Sequence, residues 1–181
     1  MTTYSIPGLS QQQCDELAAV LQERLSAYND LHLTLKHVHW NVVGPNFIGV
    51  HEMIDPQVEL VRGFADAAAE RIAALGGSPR GTVGAISQDR TWDDYALGRD
   101  TVPAHLAALD LVYNGVIESS RKAIEQVGEL DPVTEDLLIG QTAELEQFQW
   151  FVRAHLENAG GQLASAGAES EEQAADQARD L

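Results

Sequence analysis

The chain has 181 residues, 44% of them hydrophobic, with 28 acidic against 11 basic side chains and a net charge of −17. That is one domain's length with material for a sizeable core, and its charge repels phosphate backbones and attracts cations. Six prolines and a single cysteine, Cys14, speak against a turn-rich all-β design and exclude an intrachain disulfide, which fits a reducing cytoplasm.

No apolar run reaches membrane-spanning length, and residues 1–14 lack the basic and then apolar pattern of a secretory signal. From Ser10 to Asn41, Leu17, Leu21, Leu25, Tyr28, Leu31, Leu35 and Val38 recur at steps of three and four, which is one helical face capped by Ser10. Gly44-Pro45 breaks this pattern. A second helix is expected from Asn46 to Gly76-Gly77 on the stripe Ile54, Val58, Val61, Ala65, Ala68, Ile72 and Leu75, with a kink at Pro56 rather than an end, because the stripe continues in phase. A Gly-, Ser- and Pro-rich connection follows. Within it, Thr91 to Leu97 is expected to form a short helix, with Thr91 as cap and Asp93 and Asp94 in the first turn. A third long helix runs from Thr101 to Val127. A fourth opens at Asp131-Pro132 and stops at Gly160-Gly161.

The expected fold class is therefore all-α: a four-helix bundle over residues 1–163 with an extension over 1–9, and a short extra helix in the long crossover, as in ferritin-like folds. Residues 164–181, rich in Ala, Glu, Gln and Ser, are expected to be an acidic mobile tail or a frayed helix.

Five side chains form a candidate metal constellation: His39, His51, Asp55, Asp66 and Glu70. The pairs His51/Asp55 and Asp66/Glu70 are each spaced i, i+4, so each pair shares a helix face. Imidazole with carboxylates and no thiolate suits iron or manganese more than structural zinc. On a wheel of about 100° per residue, the four on the second helix fall in a sector about 110° from its apolar stripe, on the flank of the bundle. His51 and Glu70 are 19 positions apart, a rise of about 28 Å, whereas ligand bonds are close to 2 Å. One helix cannot bring both ends to one ion. An antiparallel copy of the same helix, packed about a two-fold axis near Glu59 to Arg62, can, and it makes two equivalent sites per dimer. Gly63, on the same flank, permits close approach. Bundle-interior di-iron sites use Glu-x-x-His on two helices, and none of the six histidines has a Glu three residues before it.

The segment His37-Val38-His39-Trp40-Asn41, then Phe47, His51-Glu52, Asp55, Asp66, Ala69-Glu70-Arg71 and Gly76-Gly77, resembles the signature of the Dps family of mini-ferritins over residues 10–160. The resemblance implies a homododecamer of tetrahedral symmetry around a cavity, and a ferroxidase that oxidises Fe(II) with hydrogen peroxide in preference to oxygen and stores ferric mineral. It assigns His39 and His51 to one subunit and Asp66 and Glu70 to its two-fold mate, with Asp55 as a weaker second-site ligand and Trp40 as the aromatic beside the centre. It also places Asp131, Glu135 and Asp136 at an acidic three-fold pore that admits iron, although the same residues suit capping of the fourth helix.

Many Dps proteins bind DNA through lysine-rich tails, and this chain departs from that pattern. Residues 1–14 carry no charged side chain, and residues 164–181 carry Glu169, Glu171, Glu172, Asp176 and Asp180 against Arg179 alone. Direct DNA binding is not expected. The alternatives are a DNA-compacting nucleoid protein, a metal-dependent amide hydrolase using the same site, and a plain bundle that binds no metal. His32, His37, His105 and His155 are expected to be structural or surface groups, with His32 a conceivable satellite ligand.

Overall fold

The structure, a computed structural model, describes residues 6–179 and 181. Residues 1–5 of the expected N-terminal extension and Asp180 of the tail lie outside the described residues. Among the described residues there are six helices: α1 (Gln11–Asn41), α2 (Phe47–Ala74), α3 (Val83–Asp89), α4 (Val102–Gly128), α5 (Pro132–Leu156) and α6 (Glu171–Ala178). Two-residue strands β1 (Val42–Val43) and β2 (Asp100–Thr101) pair in parallel, Val42 opposite Asp100 and Val43 opposite Thr101. Among the described residues no helix is long and apolar enough to cross a membrane.

The four long helices end where local chemistry ends them. Ser10 and Gln13 form a reciprocal cap at α1: the Gln13 N–H donates to Ser10 Oγ at 3.2 Å, and the Ser10 N–H donates to Gln13 Oε1 at 3.0 Å. α2 passes through Pro56 without interruption. It stops at Gly76, whose φ of +86° only glycine adopts without strain, and Gly77 N–H closes the end on the Ile72 carbonyl at 2.9 Å. At α5, Asp131 accepts from the Thr134 N–H at 3.0 Å, and Pro132 opens the helix.

Two compact units divide the chain, and each long helix contributes a segment to both. The first comprises the described residues of Met1–His32, with Glu59–Trp92 and Glu118–Thr142. Its buried side chains include Leu17, Leu21, Tyr28, Leu31, Val61, Ile72, Val127 and Leu138. Cys14 is buried there as a free thiol. The second comprises Leu33–Val58, Asp93–Ile117 and Ala143–Leu181. Its core includes Leu35, Val38, Ile54, Leu106, Leu109, Tyr113, Leu145 and Val152. The stripes read from sequence on α1 and α2 are the buried faces.

Two segments differ from expectation. The short helix lies at Val83–Asp89, not at Thr91–Leu97. Tertiary partners hold the side chain and backbone groups of residues 91–97 in a non-helical path. Trp92 Nε1–H donates to Asp30 Oδ2 at 2.8 Å in the first unit. In the second, Ala96 N–H donates to Glu171 Oε2 at 2.7 Å, and the Leu97 carbonyl meets His37 Nε2 at 2.8 Å. Local propensity lost to these bonds.

The second difference is in the tail, which carries α6. Ser170 caps it by accepting from Gln173 N–H. Ala174, Ala175 and Ala178 are fully buried, and Ala175 packs with Leu97, Ala104, Ala108 and Tyr95. The Arg179 guanidinium binds the Asp100 carboxylate at 2.7 Å. Composition did not reveal this, because alanines look like a featureless tail until a partner surface is known.

Asp131 generates a prediction. Its carboxylate is buried and accepts from Thr134 and from Arg71 Nη2. Burial opposes its ionisation, but the hydrogen bonds from Thr134 and Arg71 outweigh burial and hold it below the usual 3.8. A depressed carboxylate pKa contributes stability that is present above the unfolded value and is lost as pH falls through the folded one. Asp131→Ala is therefore expected to lower stability at neutral pH by about 2 kcal/mol, with the difference from wild type shrinking below pH 3.8; denaturant titration of both proteins across pH measures it.

Candidate metal centre

His39 stands in the last turn of α1 and His51 near the start of α2. The link between them is short and tightly shaped: β1 is pinned by its pairing with β2, Gly44 turns at φ +98°, and Asn46 adopts φ +62°. Asparagine tolerates that left-handed geometry better than most residues. The result brings the two imidazoles face to face, with ring centroids 3.6 Å apart and planes 25° from parallel. The Phe47 ring lies 5.0 Å from His51.

The hydrogen bonds of the pair are reciprocal. His39 Nδ1 meets the His51 carbonyl at 3.0 Å, and His51 Nδ1 meets the His39 carbonyl at 3.0 Å. A carbonyl oxygen only accepts, so both Nδ1 atoms carry hydrogen. In neutral rings each Nε2 then keeps its lone pair, the arrangement a metal ligand requires. Burial pushes the His39 pKa below the usual 6.5, which keeps that ring neutral at neutral pH.

Asp55 approaches the same histidine: its Oδ1 is 3.2 Å from His39 Nδ1 and 3.0 Å from Lys36 Nζ. The Lys36 hydrogen bond lowers the Asp55 pKa and keeps it ionised. Asp55 thus braces His39 from its Nδ1 side. Lys36 also lies over the Trp40 ring at 5.8 Å, and Trp40 itself is 71% exposed. Lys36 was missed from sequence. Its signal was the i, i+4 spacing to Trp40, and its partner Asp55 sits on another helix.

Asp66 and Glu70 share an exposed face of α2, on the side away from its buried Val61, Ala65, Ala68 and Ile72. Among the described residues no group of three His, Cys, Asp or Glu side chains is placed to hold a metal ion. Of the three acidic residues at the start of α5, Asp131 is engaged by Arg71 and by capping, whereas Glu135 is half-buried and Asp136 is exposed. His37 and His105 have structural partners: His37 meets the Leu97 carbonyl, and His105 Nδ1 meets the Tyr95 hydroxyl at 3.0 Å.

The fold and these residues define a class. A family model described as "Ferritin-like domain" matches residues 18–160, so the molecule is an all-α ferritin-like four-helix bundle. The chain is 70% identical over 179 residues to the DNA protection during starvation protein of Mycolicibacterium smegmatis, covering 99% of this chain and 98% of that one. A solved structure of Mycobacterium smegmatis Dps superposes with a TM-score of 0.92 at 71% identity, over 93% of this chain and 97% of that one. DpsA14 from Streptomyces coelicolor does so with a TM-score of 0.88 at 64% identity, over 90% of this chain and 96% of that one. The chain belongs to the Dps family.

Nitrogen NMR of imidazole-labelled protein tests the histidine arrangement without metal. His39 and His51 are both expected as the Nδ1–H tautomer at neutral pH. An Nε2–H assignment for either ring would contradict the reciprocal bonds.

Proposed function

We propose that this chain is the subunit of a homododecameric ferroxidase that oxidises Fe(II), with hydrogen peroxide as the preferred oxidant, and stores the ferric product inside its cage. Iron is substrate and cargo here. His39 and His51 of one chain bind Fe(II) through Nε2, and Asp66 and Glu70 of a second chain, packed antiparallel along α2, supply the anionic ligands. The single observation that carries this reading is the reciprocal histidine pair, which holds two imidazoles in the tautomer that binds metal. The exposed carboxylates at the other end of α2, which meet no third ligand among the described residues, support the need for a second copy. Gly63 supports close helix approach, because among the described residues, its own turn of helix apart, nothing lies within 4 Å of where a Cβ would be.

The residues have separable roles. Neutral imidazoles hold Fe(II) without excess charge, and hard carboxylate oxygens favour the ferric product. Two Fe(II) ions give one electron each to one peroxide, which with two protons becomes two waters, so no one-electron radical is released. Asp55, held by Lys36, orients His39 from behind. Trp40 lies on the exposed surface next to the pair, as an aromatic wall of the completed centre. Glu135 and Asp136 are the carboxylates of α5 left to line an acidic iron passage, with Asp131 holding the helix end in place.

His51→Ala is expected to slow peroxide-driven Fe(II) oxidation, followed by stopped-flow absorbance, on the order of 10-fold or more while oligomer mass is kept. A wild-type rate would contradict the assignment. The same protein is expected to give no gel shift with duplex DNA at neutral pH and moderate salt, since the described part of the tail offers Arg179 as its one base and that base is paired with Asp100.

A further inference from the structure

Tyr95 belongs to the second unit, on the non-helical stretch between α3 and α4. Its hydroxyl meets His105 Nδ1 at 3.0 Å, within reach of direct proton transfer. The His105 carbonyl, at 3.5 Å, is the more distant acceptor. His105 is fully buried on α4, and burial lowers its pKa, so the ring is neutral at neutral pH. Burial also pushes the Tyr95 pKa well above the usual 10, so the phenol keeps its proton. The imidazole further faces the Asn41 and Gly98 carbonyls, which accept and do not donate. The ring's one hydrogen is therefore directed to them from Nε2, and Nδ1 accepts from Tyr95.

The other described tyrosines are set differently. Tyr113 donates to Gln57 Oε1 at 2.6 Å, and the Tyr28 hydroxyl is hydrogen-bonded to Ser120. An amide oxygen and an alcohol take up no proton at neutral pH, whereas an imidazole does. The difference matters for oxidation, because a phenol that loses an electron becomes a strong acid and must pass its proton on. Asp100 adds to the fit, since its negative charge favours the imidazolium that His105 would become. The Tyr95 ring also meets the His37 ring edge-on, with centroids 5.8 Å apart, and His37 stands two residues before His39 on α1.

We propose that Tyr95 and His105 form a proton-coupled redox pair, which supplies the second electron when hydrogen peroxide meets a centre holding one Fe(II). This rests on the ferroxidase reading above. The ion gives one electron and Tyr95 the other. The O–O bond of the peroxide breaks to give two hydroxide ions. The Tyr95 O–H bond breaks, and its proton passes to His105 Nδ1. Fe(III), a Tyr95 phenoxyl radical and a His105 imidazolium remain. The next Fe(II) returns one electron to the phenoxyl, and the proton returns with it. Two Fe(II) are then oxidised per peroxide, and no hydroxyl radical leaves the centre.

Two experiments on the full-length assembled protein test the pair. In iron-free protein, flash oxidation with ruthenium tris-bipyridine and persulfate is expected to give a phenoxyl signal by electron paramagnetic resonance. Tyr95→Phe removes that signal, His105→Gln lowers its yield, and heavy water slows its appearance in the wild type. Should His105→Gln not fold, the slowing in heavy water reads the same proton. With one Fe(II) per centre and excess peroxide, freeze-quenched wild type is expected to show the same signal. Tyr95→Phe loses it and gives a spin-trapped hydroxyl adduct instead. A flash-induced phenoxyl that survives Tyr95→Phe, or one that forms equally fast in heavy water, overturns the proposal. So does Fe(II) oxidation in the second experiment without a phenoxyl. If the wild type oxidises no Fe(II) at all, the ferroxidase reading fails, and the flash experiment alone decides whether Tyr95 and His105 are a redox pair.

Discussion

The crossed pair of hydrogen bonds between His39 and His51 is the constraint on which the centre depends. It fixes the end of α1 against the start of α2, and it does so with the same atoms that select the tautomer. The surrounding second unit is arranged to hold that crossing. The strand pairing of Val42 with Asp100 anchors the chain three residues beyond His39. The bond between His37 and the Leu97 carbonyl anchors it two residues before. Asp55 closes the back of the His39 ring, and Arg179, the C-cap of α6, holds Asp100.

The two units handle buried charge differently. Around Arg153 in the second unit, a cation finds its anion: its guanidinium donates to Asp110 Oδ1 at 2.7 Å and to Asn114 Oδ1 at 2.8 Å, and Gln149 joins the same pair of acceptors. That network is matched. Around Arg24 in the first unit the guanidinium donates to the Ser119 and Ser120 hydroxyls, and its Nε–H has no hydrogen-bond partner among the described residues.

Much of the fold was legible because the helices obey one period for long stretches. The faces of α1 and α2 can be written down from Leu17 to Val38 and from Ile54 to Leu75, and all of those residues are buried. The caps Ser10 and Asp131 were equally local and equally readable. The histidines and carboxylates were picked out by spacing, and of these the structure brings His39, His51 and Asp55 together. What escaped were contacts between residues far apart in sequence. Thr91 looked like a helix start, but Trp92 and Ala96 are claimed by Asp30 and Glu171. The tail read as mobile or as a frayed helix, but Ala175 of its helix fits a surface made by Leu97, Ala104 and Ala108. Lys36 had no assigned role, because its partner Asp55 faces it from another helix.

The central claim is that the histidine end and the carboxylate end of α2 complete one centre only when they come from different chains. Co-assembly of two inactive variants measures this directly. A dimer of one His51→Ala chain and one Glu70→Ala chain contains one site with both ends intact and one with neither. Refolding the two variants together at equal amounts is predicted to recover about a quarter of the wild-type rate of Fe(II) oxidation. A mixture no faster than either variant alone would show that each chain supplies both ends of its own site, and the account would be wrong.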